Sequence, residues 1–174
     1  MADLLSPLHL GFLTVLREPG GYVGGYLVTN QWGRPLEFRM STAVQPNRVQ
    51  QILYAGTLEP FICADLIGKT LVERTALPAH ILVTDTEAVL DLRLRLDLPV
   101  AWIVNQEPRE LIDRRASTMP VRGPVYCNRQ FPTDVQRIEG ILDQLAGLLD
   151  LAEPFTRIRE AIGEARKMGV GRAA

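Results

Sequence analysis

Leu36, Phe38 and Met40 alternate with Glu37, Arg39 and Ser41, the two-residue period of a strand with one face on a core and the other in water. The run before it, Tyr22 to Thr29, is apolar on both parities and predicts a more deeply buried strand. Between them Asn30-Gln31-Trp32-Gly33 is turn chemistry, with Gly33 able to take the positive φ of a short hairpin loop. Pro35 has no amide to give a ladder, so it belongs at a strand start or a sheet edge. Upstream, Leu8 to Leu16 is a continuous apolar run ended by Arg17-Glu18-Pro19-Gly20-Gly21, as expected of a central strand. Three consecutive strands joined by short turns predict an antiparallel meander.

After Val44 the period changes to that of a helix. Pro46 suits a first helical position, and Val49, Ile52 and Leu53 recur at helical spacing. Gly56 and Pro60 interrupt the run, so two helical pieces are expected, Asn47 to Ala55 and Phe61 to Arg74. The second carries a stripe of Ile62, Leu66, Ile67 and Leu71 suited to lying on a sheet. Pro78 ends it, and His80 to Thr84 reads as a short apolar strand. Asp85 or Thr86 can then cap a helix over Glu87 to Leu96. Val89 to Leu96 also alternates strictly and fits a strand; the helix is preferred because Pro99 to Val104 is a second buried strand, and strand, helix, strand is the usual parallel crossover. From Asn105 to Pro132 patterning fades into Pro-punctuated, Arg-bearing chain, with one short helix expected around Arg109 to Ala116. Thr133 and Gln136 have capping-box spacing. Val135, Ile138, Leu142, Leu145, Leu149 and Ala152 then follow at intervals of three and four, a coiled-coil-like seam that Pro154 breaks. A second amphipathic helix, Phe155 to Met168, leads to a frayed tail, Gly169 to Ala174.

The expected fold is therefore α/β or α+β: a mixed sheet with a three-strand antiparallel meander, a helix, a strand-helix-strand crossover and C-terminal helices. It divides into a sheet domain (1–105), a Pro/Arg-rich connecting segment (106–132) and a helical segment (133–174).

Composition narrows the partners. The 174 residues, 47% of them hydrophobic, suffice for a core. A net charge of −1 gives no global field toward nucleic acid or an anionic membrane surface. No apolar run reaches membrane-spanning length, and Met1-Ala2-Asp3-Leu4-Leu5 lacks the basic start and apolar core of a secretion signal, so a cytoplasmic location is expected. Cys63 and Cys127 are far apart and read as free thiols. Cys63 lies among apolar neighbours, whereas Cys127, in a Pro-rich loop, is the more exposed candidate. His9 and His80 sit in apolar strands and read as satisfied core histidines whose pairing across strands stays open. Gly20-Gly21 and Gly24-Gly25 precede a strand, not a helix, and Gly68-Lys69-Thr70 lies inside a helix, so neither forms a phosphate cradle. Neither a cofactor nor a metal site is expected.

The element order, three strands, helix, strand, helix, strand, resembles the ribonuclease H-like fold. That resemblance implies a divalent-metal nuclease with acids on the first strand, the first helix and the end of the fourth strand. Glu37, Glu59, Asp65 and Asp85 are the acids available to a divergent member, but the first strand holds none. The string from Pro35 to Arg39, with Ile52 to Pro60, resembles an uncharacterised group of bacterial proteins and implies no activity. The strand-turn-strand-helix order also resembles roadblock or longin-type platforms, which implies a dimerising or partner-binding scaffold. The preferred expectation is a non-catalytic interaction or scaffold domain with a protein partner or a homo-oligomeric state; the alternative is a nuclease or nucleic-acid-binding protein. The interaction residues expected are Val135, Ile138, Leu142, Leu145 and Leu149, unless that seam packs on its own sheet. Arg114, Arg115, Arg122 and Arg129 are candidate anion contacts, against the plainer reading of a salt-bridged surface.

Overall fold

A computed structural model describes residues 7–105 and 107–169. The segment Met1 to Leu5 and most of the tail from Gly169 onward lie outside the described residues, so the expectations placed on them have no structural counterpart here. Seven strands form one mixed sheet: β1 (Leu10–Glu18), β2 (Gly21–Thr29), β3 (Pro35–Met40), β4 (Ile81–Thr84), β5 (Val100–Ile103), β6 (Thr118–Arg122) and β7 (Val125–Asn128). Their spatial order is β3-β2-β1-β4-β5-β7-β6. β1, β2 and β3 form the expected antiparallel meander, and β4 and β5 lie parallel to β1.

The helices in chain order are α1 (Arg48–Tyr54), α2 (Leu58–Pro60), α3 (Lys69–Arg74), α4 (Arg109–Asp113), α5 (Asp134–Leu145) and α6 (Glu153–Lys167). Asn47, not Pro46, opens α1: its side chain accepts from the Gln50 amide while the Gln50 side chain accepts from the Asn47 amide. A π-helix, Phe61–Gly68, joins α2 to α3 where an α-helix was expected. Its wider turn carries Ile62 and Ile67, five residues apart, into the core, and it leaves Leu66 exposed, outside the predicted stripe. The crossover from β4 to β5 is a 3₁₀ helix, Glu87–Leu94, which settles the choice against a strand at 89–96.

Two apolar layers cover the sheet. On one face Leu13, Tyr26, Leu82 and Trp102 pack beneath the π-helix and the 3₁₀ crossover; on the other Phe12, Leu27, Val83 and Cys127 pack beneath α5 and α6. Gly24 and Gly25 let both layers close on the same point of β2. A Cβ on Gly24 would lie 2.2 Å from Ile67 on one face, and one on Gly25 would lie 2.5 Å from Ile158 on the other. The glycine pair is a device for close packing.

Three C-terminal features depart from expectation. The segment 106–132, expected as a connection, supplies the β6–β7 hairpin, which turns at Gly123 (φ 55°) and extends the sheet beyond β5. Thr133 makes no side-chain cap; Asp134 instead is buried and accepts from Arg93 Nε at 2.7 Å and from Arg137 at 3.3 Å. Arg93 also stands 4.0 Å from the Phe131 ring, so this pair ties the crossover to the start of α5. Pro154 lies in the first turn of α6, where a missing amide costs nothing, so it starts that helix.

Candidate functional site

The predicted interaction seam is used within the chain. Ile138 and Leu145 are buried on the sheet, with Val135, Leu142 and Leu149 half-buried in the same cluster. Gly147 (φ 76°) stops α5 before Leu149, so the five residues never form one continuous helical stripe.

The arginines also disperse. Arg115 pairs with Glu87, bonds Glu107 at 2.7 Å and sits 5.8 Å from the Trp102 ring. Arg122 bonds Asp143 at 2.7 Å, and Arg129 donates to the Thr118 carbonyl at 3.0 Å. Arg114 is exposed on the turn after α4. Two of the four form ion pairs, Arg129 is bound to a carbonyl, and the partners named for them are all different.

The four acids of the nuclease alternative occupy four separate settings. Glu37 on β3 accepts from the Ala76 and Leu77 amides and from Arg39. Burial pulls its carboxyl upward, but those three donors outweigh it and hold it below the ordinary carboxylate range. Asp65 is bound bidentately by Arg95 at 3.1 Å. Asp85 is tied to Arg159 of α6, on the side away from Glu59. Among the described residues, groups of three or more His, Cys, Asp or Glu side chains able to hold a metal ion do not occur.

The histidines and one thiol differ from expectation. His9 and His80 do meet, through His9 N–H donating to His80 Nδ1 at 3.0 Å, but just before β1 and β4, with His80 exposed; neither is a core residue. Cys127 lies fully buried on β7, not in an exposed loop, and burial raises its thiol to about 11, while burial raises Cys63 to about 12. Neither thiol has the thiolate character of a nucleophile.

Sequence reasoning missed the surface that stands out. Val49, Ile52 and Leu53 lie on one side of α1 and are 63%, 61% and 76% exposed. No residue of α1 is buried. The helix is held by its capping box and by Tyr54 stacked on Phe61 at 4.4 Å; it ends at Ala55, whose φ 47°, ψ −122° costs a non-glycine residue roughly 1–3 kcal/mol. Beside the end of α1 a cleft of about 340 Å³ opens between α2, the 3₁₀ crossover and the β6–β7 hairpin, lined among others by Glu59, Thr86, Glu87, Asp91, Ser117 and Asn128. A second cleft of about 290 Å³, between Tyr54, Phe61, Asp65 and Leu94, shares Asp91 with it. Burial first, then the charge of Asp65, pushes the Asp91 carboxyl up, while Arg95 pulls it down. Arg95 bonds Asp65 and leaves Asp91 and Glu59 without an ion-pair partner among the described residues. The only warning in the sequence was the short helix between Pro46 and Gly56, too brief to cover its own stripe.

No family model matches the chain, and no curated protein matches it. Among the described residues no helix is long and apolar enough to cross a membrane.

Proposed function

We propose that the chain is a non-catalytic interaction domain that offers α1 and the neighbouring acidic cleft to a partner protein. The observation that carries this reading is the stripe of Val49, Ile52 and Leu53, three large apolar side chains more than half exposed on a helix that is capped and anchored. A solvated helix gains nothing from such a stripe, and contiguous exposed apolar surface marks a contact site. The partner chemistry follows from the flank: Glu59 and Asp91 line the cleft that opens at Gly56, just past the end of α1, and have no ion-pair partner among the described residues, so the matching segment pairs apolar side chains with lysine or arginine. A photo-reactive leucine analogue at position 53 in cells tests this. One discrete cross-linked protein is expected, lost with Ile52→Ser and absent when the probe sits at position 114. No adduct at 53, or one indifferent to Ile52→Ser, overturns the reading.

A second reading has one favouring observation. The element order is the one on which the ribonuclease H-like resemblance rests, with the acidic cleft lined by Thr86, two residues past the end of β4. Manganese titration calorimetry with a nucleic-acid cleavage assay decides it: binding and cleavage that both vanish in a Glu59→Gln, Asp91→Asn variant favour a metal-dependent nuclease, and silence in both assays removes it.

A further inference from the structure

The outermost strand β3 ends the sheet on one side, and its free edge is self-complementary. Ser41 N–H donates to the Gly24 carbonyl at 2.9 Å, which makes that couple a hydrogen-bonded pair of the β2–β3 ladder. Antiparallel pairs alternate in type, so Arg39 opposite Tyr26, and Glu37 opposite Val28, turn their backbone groups toward β2. Phe38 and Met40 then turn theirs outward, and neither amide has a backbone partner outside the ladder among the described residues. An edge of this kind is a template for another strand unless side chains forbid it.

The side chains forbid most registers and favour one. A second copy running antiparallel can centre on Glu37, Phe38 or Arg39 and keep its outward backbone groups facing outward groups. Centring on Glu37 sets two carboxylates opposite each other, and centring on Arg39 sets two guanidinium groups opposite each other. Arg39 bonds Glu37 of its own chain at 2.8 Å, and centring on Phe38 sets two such couples head to tail, so that each Glu37 also faces Arg39 of the other copy, with Leu36 against Met40. Phe38 then exchanges both backbone hydrogen bonds with its own counterpart across the two-fold axis. The apolar surface agrees with that centre. Phe38 is 37% and Leu36 40% exposed, and Phe38 borders a groove of about 250 Å³ whose other walls are Leu27, Pro35, Ile158, Ala161 and Arg157, the last held by Glu153 and the Gly33 carbonyl. The ladder irregularity between β2 and β3 at Val28 and Thr29 limits the regular stretch to the residues around Phe38.

We infer that β3 is a homodimer edge: two copies join antiparallel about Phe38, with reciprocal Glu37–Arg39 pairs, and make one continuous sheet. This is independent of the α1 surface, which lies on another part of the chain.

Sedimentation velocity of the full chain across a hundredfold concentration range tests it. A concentration-dependent dimer is expected. Arg39→Glu sets two acids opposite each other on each side of the axis and should weaken that dimer by roughly ten- to a hundredfold. Glu37→Arg should do the same, and, because Glu37 also binds the Ala76 and Leu77 amides, its folding is checked by circular dichroism. Mixing the two variants restores unlike pairs and should return a heterodimer that neither forms alone. A chain that stays monomeric at every concentration overturns the inference, as does a dimer indifferent to Arg39→Glu. Leu53→Ser should leave the dimer unchanged, which separates this result from the test on α1.

Discussion

α1 and α5 carry the same kind of signal and use it in opposite ways. Both are amphipathic and both follow a proline-containing stretch, yet Ile138 and Leu145 of α5 are buried on the sheet while Val49, Ile52 and Leu53 of α1 stand in solvent. The difference lies in what each helix is tethered to. Asp134 fixes the start of α5 to Arg93 of the crossover, and the bend at Gly147 returns the chain to Pro154 and α6. α1 is followed by Ala55 and Gly56, which turn the chain toward the sheet only at Phe61. Periodicity reports that a helix has an apolar side; the connections decide whether that side is covered.

The largest test of this contrast removes the tether of α5. Asp134→Ala removes the 2.7 Å bond from Arg93, whose remaining carboxylate contact is the exposed Asp97 at 3.4 Å, and should cost about 3 kcal/mol in urea unfolding; a loss below about 1 kcal/mol would show that the pair does not anchor the helix. Next come matched truncations in the two stripes. Ile138→Ala should cost about 2–5 kcal/mol, and Leu53→Ala should stay within about 0.5 kcal/mol while abolishing the cross-link at α1. Equal losses would erase the distinction. Ala55→Gly relieves the positive φ at the end of α1 and should raise stability by about 1 kcal/mol, read as a higher urea midpoint with an unchanged slope.

The smallest effect concerns pH and the edge strand. Folding lowers the Glu37 carboxyl below its ordinary value of 4.5, so the unfolded chain binds more protons between the two values and stability rises with pH there. The Glu37 contribution is complete above 4.5 and disappears as pH falls through the folded value. Glu37→Gln should therefore flatten the acid limb of stability below pH 4.5; an unchanged limb means that the Ala76 and Leu77 amides do not hold the carboxylate.

Where a segment met the sheet on one clean face, its pattern could be read directly. β1 and β2 show as continuous apolar runs, β3 by its period of two, and the buried faces of α5 and α6 by intervals of three and four, while the crossover helix follows from its place between two buried strands. The hairpin of β6 and β7 did not, because Pro120 and Pro124 dominate two strands of five and four residues whose partner, β5, lies far upstream. The π-helix escaped because its wider turn matches neither template. Asp134 could not be known as a buried anchor, since the pairing Arg93 lies forty-one residues earlier. The proposed contact surface was hidden for the reason the two helices differ: Val49, Ile52 and Leu53 look like core until the chain around them is placed.

Among the described elements β1 is made before every other strand of its sheet and is a central strand of it, and one of its faces is closed by the much later α6. Phe12 meets Phe155 edge to face at 5.8 Å, and Glu18 pairs with Arg166. At about 5–20 residues per second, α6 leaves the ribosome on the order of ten seconds after β1. During that interval Leu10 and Phe12 wait uncovered by α6, so the nascent chain offers chaperones a defined apolar strand, and a chain released before α6 is made leaves the sheet open on that side.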